Sequence, residues 1–472
     1  MLSLVDVVDE IQGVRPANAA LEISEAAVDS RQVIPGGLFI ATRGERSDGH
    51  DFISAAFQNG ALLAFAERDL DPALAVVDLR APLPADYTFP AAPFVLRVPD
   101  TVKALQQVAA FWRRRFDVRV IGITGSVGKS TTKELVAEVL SQRYRTLKNQ
   151  GNYNNEIGLP LTLLRLGPGY QRVVLEMGFY EPGDIQLLCN IAQPQVGILT
   201  NIGTVHASRS KSQEAIARGK SELVHALPPS PVGTAILNKD DPFIAPMYKL
   251  TDANVFYYGL DPKADLWADN IESQGLEGIR CRLHYCGDTF NLQVPIIGHH
   301  SIHTILRAVS AALVEGLSWG EITFGLQHAS SQLRLVAVET REGALLLDDT
   351  YNASPESMLA ALNLLNELPG RKIAVLGGMN ELGPYEAVGH QKEGIRAAQV
   401  ADKLIAFQQN ARMIADAALQ AGLPAHAVEM LEDSEAVIDS LNKTLHKGDV
   451  VLVKGAHSLR MDRIVQALEV EE

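Results

Sequence analysis

Along most of the chain, short apolar runs alternate with stretches whose apolar residues recur at helical spacing. Strands alternating with helices predict an α/β architecture with mostly parallel sheets. The apolar run Val118, Val120, Ile121 predicts a short buried strand, and Lys133 to Leu140 a helix directly after it. Further strands are expected at Leu38 to Ala41, Phe94 to Val98, Arg172 to Gly178, Val196 to Asn201, Ala235 to Asn238, Ala344 to Asp349, Lys372 to Leu376 and Asp449 to Val453. Residues 254 to 297 alternate in strand fashion. Helices are expected at Thr101 to Phe116, Ser212 to Leu227, Ser301 to Glu315 and Glu356 to Leu368. The segment Asp71 to Ala92, rich in Pro, Ala and Asp, is expected to loop over the surface. Arg113-Arg114-Arg115 reads as a solvated last turn favoured by the helix dipole.

At roughly 150 residues per domain, 472 residues suggest about three domains. The boundaries are placed at 1–99, 100–328 and 329–472: a small N-terminal α/β domain, a central parallel-sheet domain around the Gly-rich P-loop-like turn at 122–132 and a C-terminal Rossmann-like α/β domain. A formal charge of 42 − 56 = −14 argues against a general nucleic-acid binder. The cysteines (Cys189, Cys281, Cys286) are too few and scattered for a disulfide framework, and Cys281 and Cys286 read as packing residues. No apolar run reaches the roughly 18 residues needed to span a membrane, and no secretory leader is visible. A soluble, cytoplasmic protein is expected.

Between the predicted strand and helix lies Gly122-Ile123-Thr124-Gly125-Ser126-Val127-Gly128-Lys129-Ser130-Thr131-Thr132. A Gly-rich turn from strand to helix forms an anion cradle of backbone N–H groups at a helix N-terminus. Lys129 would reach the β- and γ-phosphates, and the Ser130 hydroxyl would ligate Mg²⁺. Ile123 stands where the general P-loop carries its first glycine, so only the Gly-x-x-Gly-Lys-Ser half matches. Glu176 and His206 follow two predicted strands at their carboxyl ends, where ligands sit in open α/β sheets. Lys220 falls on the apolar face of the 212–227 helix, between Ile216 and Leu223. It reads either as a snorkelling lysine or as a desolvated amine of lowered pKa able to react or to take up CO₂. Beside Glu176 and His206 the second reading is preferred. In the first domain, Ser30, Arg31, Arg43 and Gly44 flank a short strand in polar loops suited to a diphosphate or nucleotide.

Taken together, these residues resemble the Mur ligases, ATP-dependent amide-forming enzymes of peptidoglycan precursor synthesis, over nearly the whole chain. The resemblance implies that Thr124, Gly125, Ser126, Val127, Gly128, Lys129, Ser130 and Thr131 bind ATP. It further implies two Mg²⁺ ions held by Ser130, Glu176, His206 and a carbamylated Lys220. Asn238 and His300 are similar to adenine-side residues, Asp349 to a ribose aspartate, and Arg334 and Lys454 to nucleotide-contacting basic residues. The stretches Asn152 to Gly158, Asp349 to Pro355 and Gly378 to Gly383 are similar to the branch that adds a dipeptide. That branch implies UDP-N-acetylmuramoyl-tripeptide and D-Ala-D-Ala as partners, with Asn154, Asn155, Tyr351 and Asn352 meeting substrate, and a monomer. Ser301 and Thr304 stand where the family usually has asparagines, Leu333 where glycine is usual, and His457 where arginine is expected. A Mur-type ligase for another acid and amine, a P-loop kinase or motor-type NTPase, and a non-catalytic relative remain as alternatives.

Overall fold

The computed structural model describes all residues except 17–19, 45–46, 85, 205–211, 330–335 and 470–472. By its internal contacts the chain forms two compact bodies. One comprises Met1–Gly122, Tyr144–Gly178 and Asp184–Gln195, the other Ile123–Arg143, Phe179–Gly183 and Val196–Glu472.

In the first body, five parallel strands run in the order Ala26–Ala27, Leu38–Ile40, Leu63–Ala66, Phe94–Arg97 and Val76–Asp78. Phe39, Ala64 and Val95 pack under Ile53 and Ala56 of a short helix. Val76–Asp78 corrects the expectation that Asp71 to Ala92 only loops. Val77 is fully buried opposite Leu96, but a three-residue strand is too short to show an alternation. The helix Thr101–Arg114 starts on Asp100, which caps the Lys103 amide. Its last turn is a second correction. Arg113 is buried, and its guanidinium donates to the carbonyls of Ala192 (2.8 Å), Phe116 (3.2 Å) and Val118 (3.1 Å). Arg115 pairs with Asp6 at 2.7 Å. A buried guanidinium satisfied by three carbonyls makes Arg113 a structural plug, while Arg114 and Arg115 are exposed as expected. The strands Thr146–Lys148 and Arg172–Glu176 pair in parallel, and the apolar run at 159–164 forms a helix, Gly158–Leu164.

In the second body, strands follow one another in the order Asp288–Val294, Ile279–Tyr285, Leu266–Ser273, Asn254–Gly259, Thr234–Asn238 and Val196–Leu199. The first two pairings are antiparallel and the rest parallel. Cys281 is buried in this sheet, whereas Cys286 is exposed at a turn with φ +51°, so the expectation that both pack holds for Cys281 alone. The same body carries a six-stranded sheet in the order Val336–Glu339, Leu345–Asp349, Val450–Lys454, Lys372–Gly377, Lys403–Phe407 and Val428–Leu431. All its pairings are parallel except the first. Helices cover both faces, Met358 and Leu362 burying one and Val437, Leu441 and Ile464 the other. These doubly covered parallel strands explain their near-continuous apolar sequences. Among the described residues no helix is long and apolar enough to cross a membrane.

The helix Glu386–Val400 buries one carboxyl completely. Both oxygens of Glu393 lack a hydrogen-bond partner among the described residues. Burial raises its pKa well above the usual 4.5, the Lys454 charge opposing and Glu356 adding to the rise. Folding above pH 4.5 therefore takes up a proton, and stability falls as pH rises from there. Glu393→Gln should remove this penalty. We expect the variant to gain about 1–3 kcal/mol in denaturant titrations at pH 8 and the gain to vanish near pH 4.5. An equal difference at both pH values would refute it.

Candidate active site

Strand Arg119–Thr124 ends in the loop that leads to helix Lys129–Leu140. Gly128 caps that helix in the left-handed region, φ +78°. Gly125 has φ +148°, and a methyl placed on it would meet the Thr200 Oγ1 at 1.8 Å. The tight approach that the general motif gives to its first glycine is thus made here by Gly125, two residues after Ile123. The loop is braced from the next strand end. Ser126 N–H donates to the Asn201 carbonyl and Val127 N–H to the Asn201 side chain, both at 2.9 Å. The Gly203 N–H donates to Ser126 Oγ at 2.8 Å. Asn201 was missing from the residues singled out in the sequence; its signal is a polar side chain at the carboxyl end of a buried strand.

Lys129 curls over the loop, its Nζ donating to the carbonyls of Gly125 (3.0 Å) and Ser126 (3.1 Å). Ser130 is buried in the first helical turn and Thr131 half-buried beside it, and Thr132 Oγ1 donates to Gly128 O at 2.6 Å. Thr124 is fully buried at the strand end. The structure therefore brings together Thr124 to Thr131 and Lys220. The helix Gln213–His225 starts on Ser212, whose side chain accepts from Ala215 N, with Glu214 in the first turn as its sequence predicts. Lys220 does not snorkel. Its side chain is fully buried, Nζ donates to Gly125 O at 2.8 Å, and the ammonium position lies 4.5 Å from the Phe179 ring centroid. Phe179 packs so closely on this helix that a methyl on Gly219 would meet its ring at 2.1 Å. Burial first, and the Lys129 charge second, hold the Lys220 pKa well below 10.5. The charged form is therefore disfavoured, which brings the neutral, nucleophilic amine within easier reach than in a free lysine.

Glu176 ends its strand buried, its carboxylate accepting from Asn154 Nδ2 at 2.8 Å. Its backbone N–H donates to the Asn149 side chain at 2.9 Å. Asn155 Oδ1 accepts from the amides of Ile157 (3.3 Å) and Gly158 (2.9 Å), which places it as a cap at the start of the 158–164 helix. His206 and Arg334 lie outside the described residues, as does Leu333. Among the described residues no three of His, Cys, Asp and Glu gather as a metal-binding group.

Asn238 is buried. Its Nδ2 donates to Thr200 O at 3.1 Å and its Oδ1 accepts from Asp240 N at 3.0 Å, so it braces the neighbouring strand end, whose Asn201 holds the loop. Asp241 continues the brace by accepting from Ile202 N at 2.8 Å. His300 is exposed, yet desolvation by the surrounding protein, then the charges of Lys454, His299 and Arg307, push its pKa down to about 4. It is a neutral imidazole at neutral pH. Ser301 and Thr304 are buried, Ser301 Oγ donating to Ile297 O and Thr304 Oγ1 accepting from Arg307.

On the C-terminal sheet, Asp349 and Lys454 occupy paired register positions and form an ion pair at 2.7 Å. Lys454 also donates to Asn352 O at 2.8 Å. Tyr351 is exposed, its ring 5.9 Å from that of His457. Glu356, in the first turn of helix Pro355–Glu367, accepts from the Thr204 N–H at 3.3 Å. In the N-terminal sheet region, Ser30 is buried and its carbonyl accepts from Asn59 Nδ2. Arg31 is exposed and paired with Asp29 at 2.7 Å, and Arg43 reaches Glu67 at 3.1 Å. The Gly44 N–H closes a turn onto Ser47 O at 2.9 Å.

The chain matches the Mur ligase family, catalytic domain, over residues 22–113, the Mur ligase middle domain over 123–312 and the Mur ligase, glutamate ligase domain over 333–457. It is 35% identical to the UDP-N-acetylmuramoyl-tripeptide–D-alanyl-D-alanine ligase of Synechocystis, across 96% of this chain and 93% of that one. The crystal structure of MurF from Acinetobacter baumannii superimposes with a TM-score of 0.83 at 29% identity, covering 98% of this chain and 97% of that one. The MurF ligase of Thermotoga maritima in complex with ADP gives a TM-score of 0.79 at 28% identity, covering 94% and 96%. With three α/β domains in family order and a P-loop at the carboxyl edge of the central strands, the chain belongs to the Mur ligase family.

Proposed function

We propose that this chain joins D-Ala-D-Ala to UDP-N-acetylmuramoyl-tripeptide at the expense of ATP, in the cytoplasmic synthesis of peptidoglycan precursors. The observation that carries the reading is the cradle of Gly125 to Thr131, with Lys129 and the buried Lys220 both on the Gly125 carbonyl, in a chain similar to such ligases from end to end. In the first half-reaction, a terminal carboxylate oxygen of the tripeptide attacks the γ-phosphorus and ADP leaves, giving an acyl phosphate. In the second, the uncharged amine of D-Ala-D-Ala attacks the acyl carbon, phosphate leaves, and the amine gives up a proton.

Such chemistry is positioning and electrostatics, so no nucleophilic side chain is needed. The loop amides and Lys129 hold the triphosphate and spread the charge that builds on the γ-phosphoryl. The hydroxyl of Ser130 and the carboxylate of Glu176 are hard oxygen donors suited to Mg²⁺, with His206 as a further ligand. Mg²⁺ bound there would neutralise phosphate charge. Lys220 in its neutral form can add to CO₂, its lone pair forming the N–C bond as the nitrogen loses a proton, and the carbamate so made would supply a further oxygen donor. Restored turnover of Lys220→Ala with a short carboxylic acid supports the carbamate; no rescue, with the variant inactive, makes the amine itself the working group. Asn154, Asn155, Tyr351 and Asn352 are assigned to the peptide substrates, Ser30, Arg31, Arg43 and Gly44 to the UDP moiety. Asn238, His300, Arg334, Asp349 and Lys454 are assigned to the nucleotide, and the protein is taken to act as a monomer.

The test is a coupled assay for ADP and amide with ATP, D-Ala-D-Ala and UDP-linked tripeptides carrying either lysine or diaminopimelate at the third position. One ADP per amide is expected. Lys129→Ala should lower that rate by about 10³-fold, the scale of removing one transition-state charge contact. ADP release without amide, from any of these nucleotides, would replace the ligase with a hydrolase or kinase.

A further inference from the structure

Among the described residues two arginines are buried to the same degree, each 5% exposed, and they differ in what satisfies them. Arg113 spends all three of its nitrogens on carbonyls. Arg307, in the largely apolar helix Ile302–Val314, donates from Nη2 to Thr304 Oγ1 at 2.8 Å. Its Nε has no partner among the described residues. The guanidinium also lies 5.9 Å from the Tyr258 ring centroid and within reach of its hydroxyl, a neutral acceptor whose own proton goes to Leu199 O and Thr200 O.

Among the described residues no acid forms an ion pair with this cation, and the nearby carboxylates are held by backbone amides. Asp240 accepts from the amides of Leu260 and Asp261, and Asp241 from those of Ile202, Phe243 and Ile244. The neighbouring rings, His300 and His303, are both pushed down to about 4, chiefly by burial and in part by this cation. They add no negative charge. A buried guanidinium with no paired carboxylate is costly, and an anion arriving beside it would relieve that cost. The side where one would arrive is fixed by geometry. A methyl on Gly128, the cap of the twelve-residue P-loop helix, would meet Arg307 Nη2 at 3.1 Å.

We propose that Arg307 is a nucleotide-binding residue, a second cation that grips the phosphate chain of ATP where it lies against Gly128 at the start of the P-loop helix. The proposal rests on the ligase reading for the identity of the nucleotide. Guanidinium is the group for this task because its planar fork meets two phosphate oxygens at once. Thr304 steers that fork from below.

The experiment measures binding of ATP, ADP and adenosine to the full chain and to Arg307→Met and Arg307→Lys. For Arg307→Met we expect ATP and ADP to weaken about tenfold to a hundredfold, the range for a lost hydrogen bond to a charged group, and adenosine to change by less than about twofold. Arg307→Lys should fall between, keeping the charge and losing the fork. Equal weakening of all three ligands would make Arg307 a packing residue and overturn the proposal, as would unchanged ATP binding. If Arg307→Met does not fold, the ratio of ATP to adenosine affinity in Arg307→Lys decides on the same terms. A wild-type chain that shows this phosphate dependence yet forms no amide would defeat the ligase reading while supporting this one.

Discussion

Lys220→Met should silence amide formation, by about 10³-fold or more, without harming the fold. Two facts set the direction. The Lys220 amine is fully buried and touches the Gly125 carbonyl at 2.8 Å, so it adjoins the phosphate cradle. Its pKa is held below 10.5 by burial and by Lys129. The native state therefore binds fewer protons than the unfolded state throughout the interval between the lowered value and 10.5. Stability rises with pH across that interval, and at pH 7 the lysine costs stability. Methionine fills a similar volume and removes that cost, against which the lost hydrogen bond to Gly125 O counts about 1 kcal/mol. Thermal unfolding at pH 7 should show the variant at least as stable as the parent, with its advantage shrinking toward pH 10. A strongly destabilised but still active Lys220→Met would make this lysine a structural element and end its role in the chemistry.

Why Lys220 was recognisable in the sequence, and Arg307 was not, is a matter of contrast. Lys220 interrupts an apolar face between Ile216 and Leu223 and follows two strand ends that carry Glu176 and His206, so chemistry was the simpler reading. Arg307 sits in a helix buried nearly all round, where no apolar stripe exists for it to interrupt. The P-loop, the 213–225 helix with its Ser212 cap and the strands between 254 and 294 follow from local pattern alone. Helix Gly158–Leu164 did not: its first turn is capped by Asn155 from within what reads as a polar loop. Arg113 was misjudged because a basic last turn is usually solvated, and only the tertiary fold brings Ala192 O and Val118 O to it. The Asp349–Lys454 pair shows a further limit. Each reads as a nucleotide contact, and the sheet register sets them on each other at 2.7 Å.

Gly125→Ala should be the most damaging single methyl in the loop, because no neighbour can retreat from it. The added carbon would lie 1.8 Å from Thr200 Oγ1, 2.9 Å from Thr200 Cβ and 3.0 Å from Thr200 N. Turning the threonine side chain moves only the first of these. The backbone is fixed by the hydrogen bond from Thr200 N to Thr124 O at 2.9 Å, and Thr200 is fully buried. A φ of +148° adds strain that any L side chain would feel. Backbone strain and overpacking together should cost about 3 kcal/mol or more. The displaced Gly125 carbonyl, which Lys129 and Lys220 both address, should lower ATP turnover by about 10²-fold, the scale of an ångström-sized misplacement. Thr200→Gly in the same chain frees the space but not the φ, so it should restore part of the stability and little of the rate. Gly167→Ala, with open space around it, serves as the matched control and should leave both unchanged. Full recovery of turnover in the Gly125→Ala/Thr200→Gly double variant would show that crowding by Thr200, and not the backbone course of the loop, is what the glycine relieves.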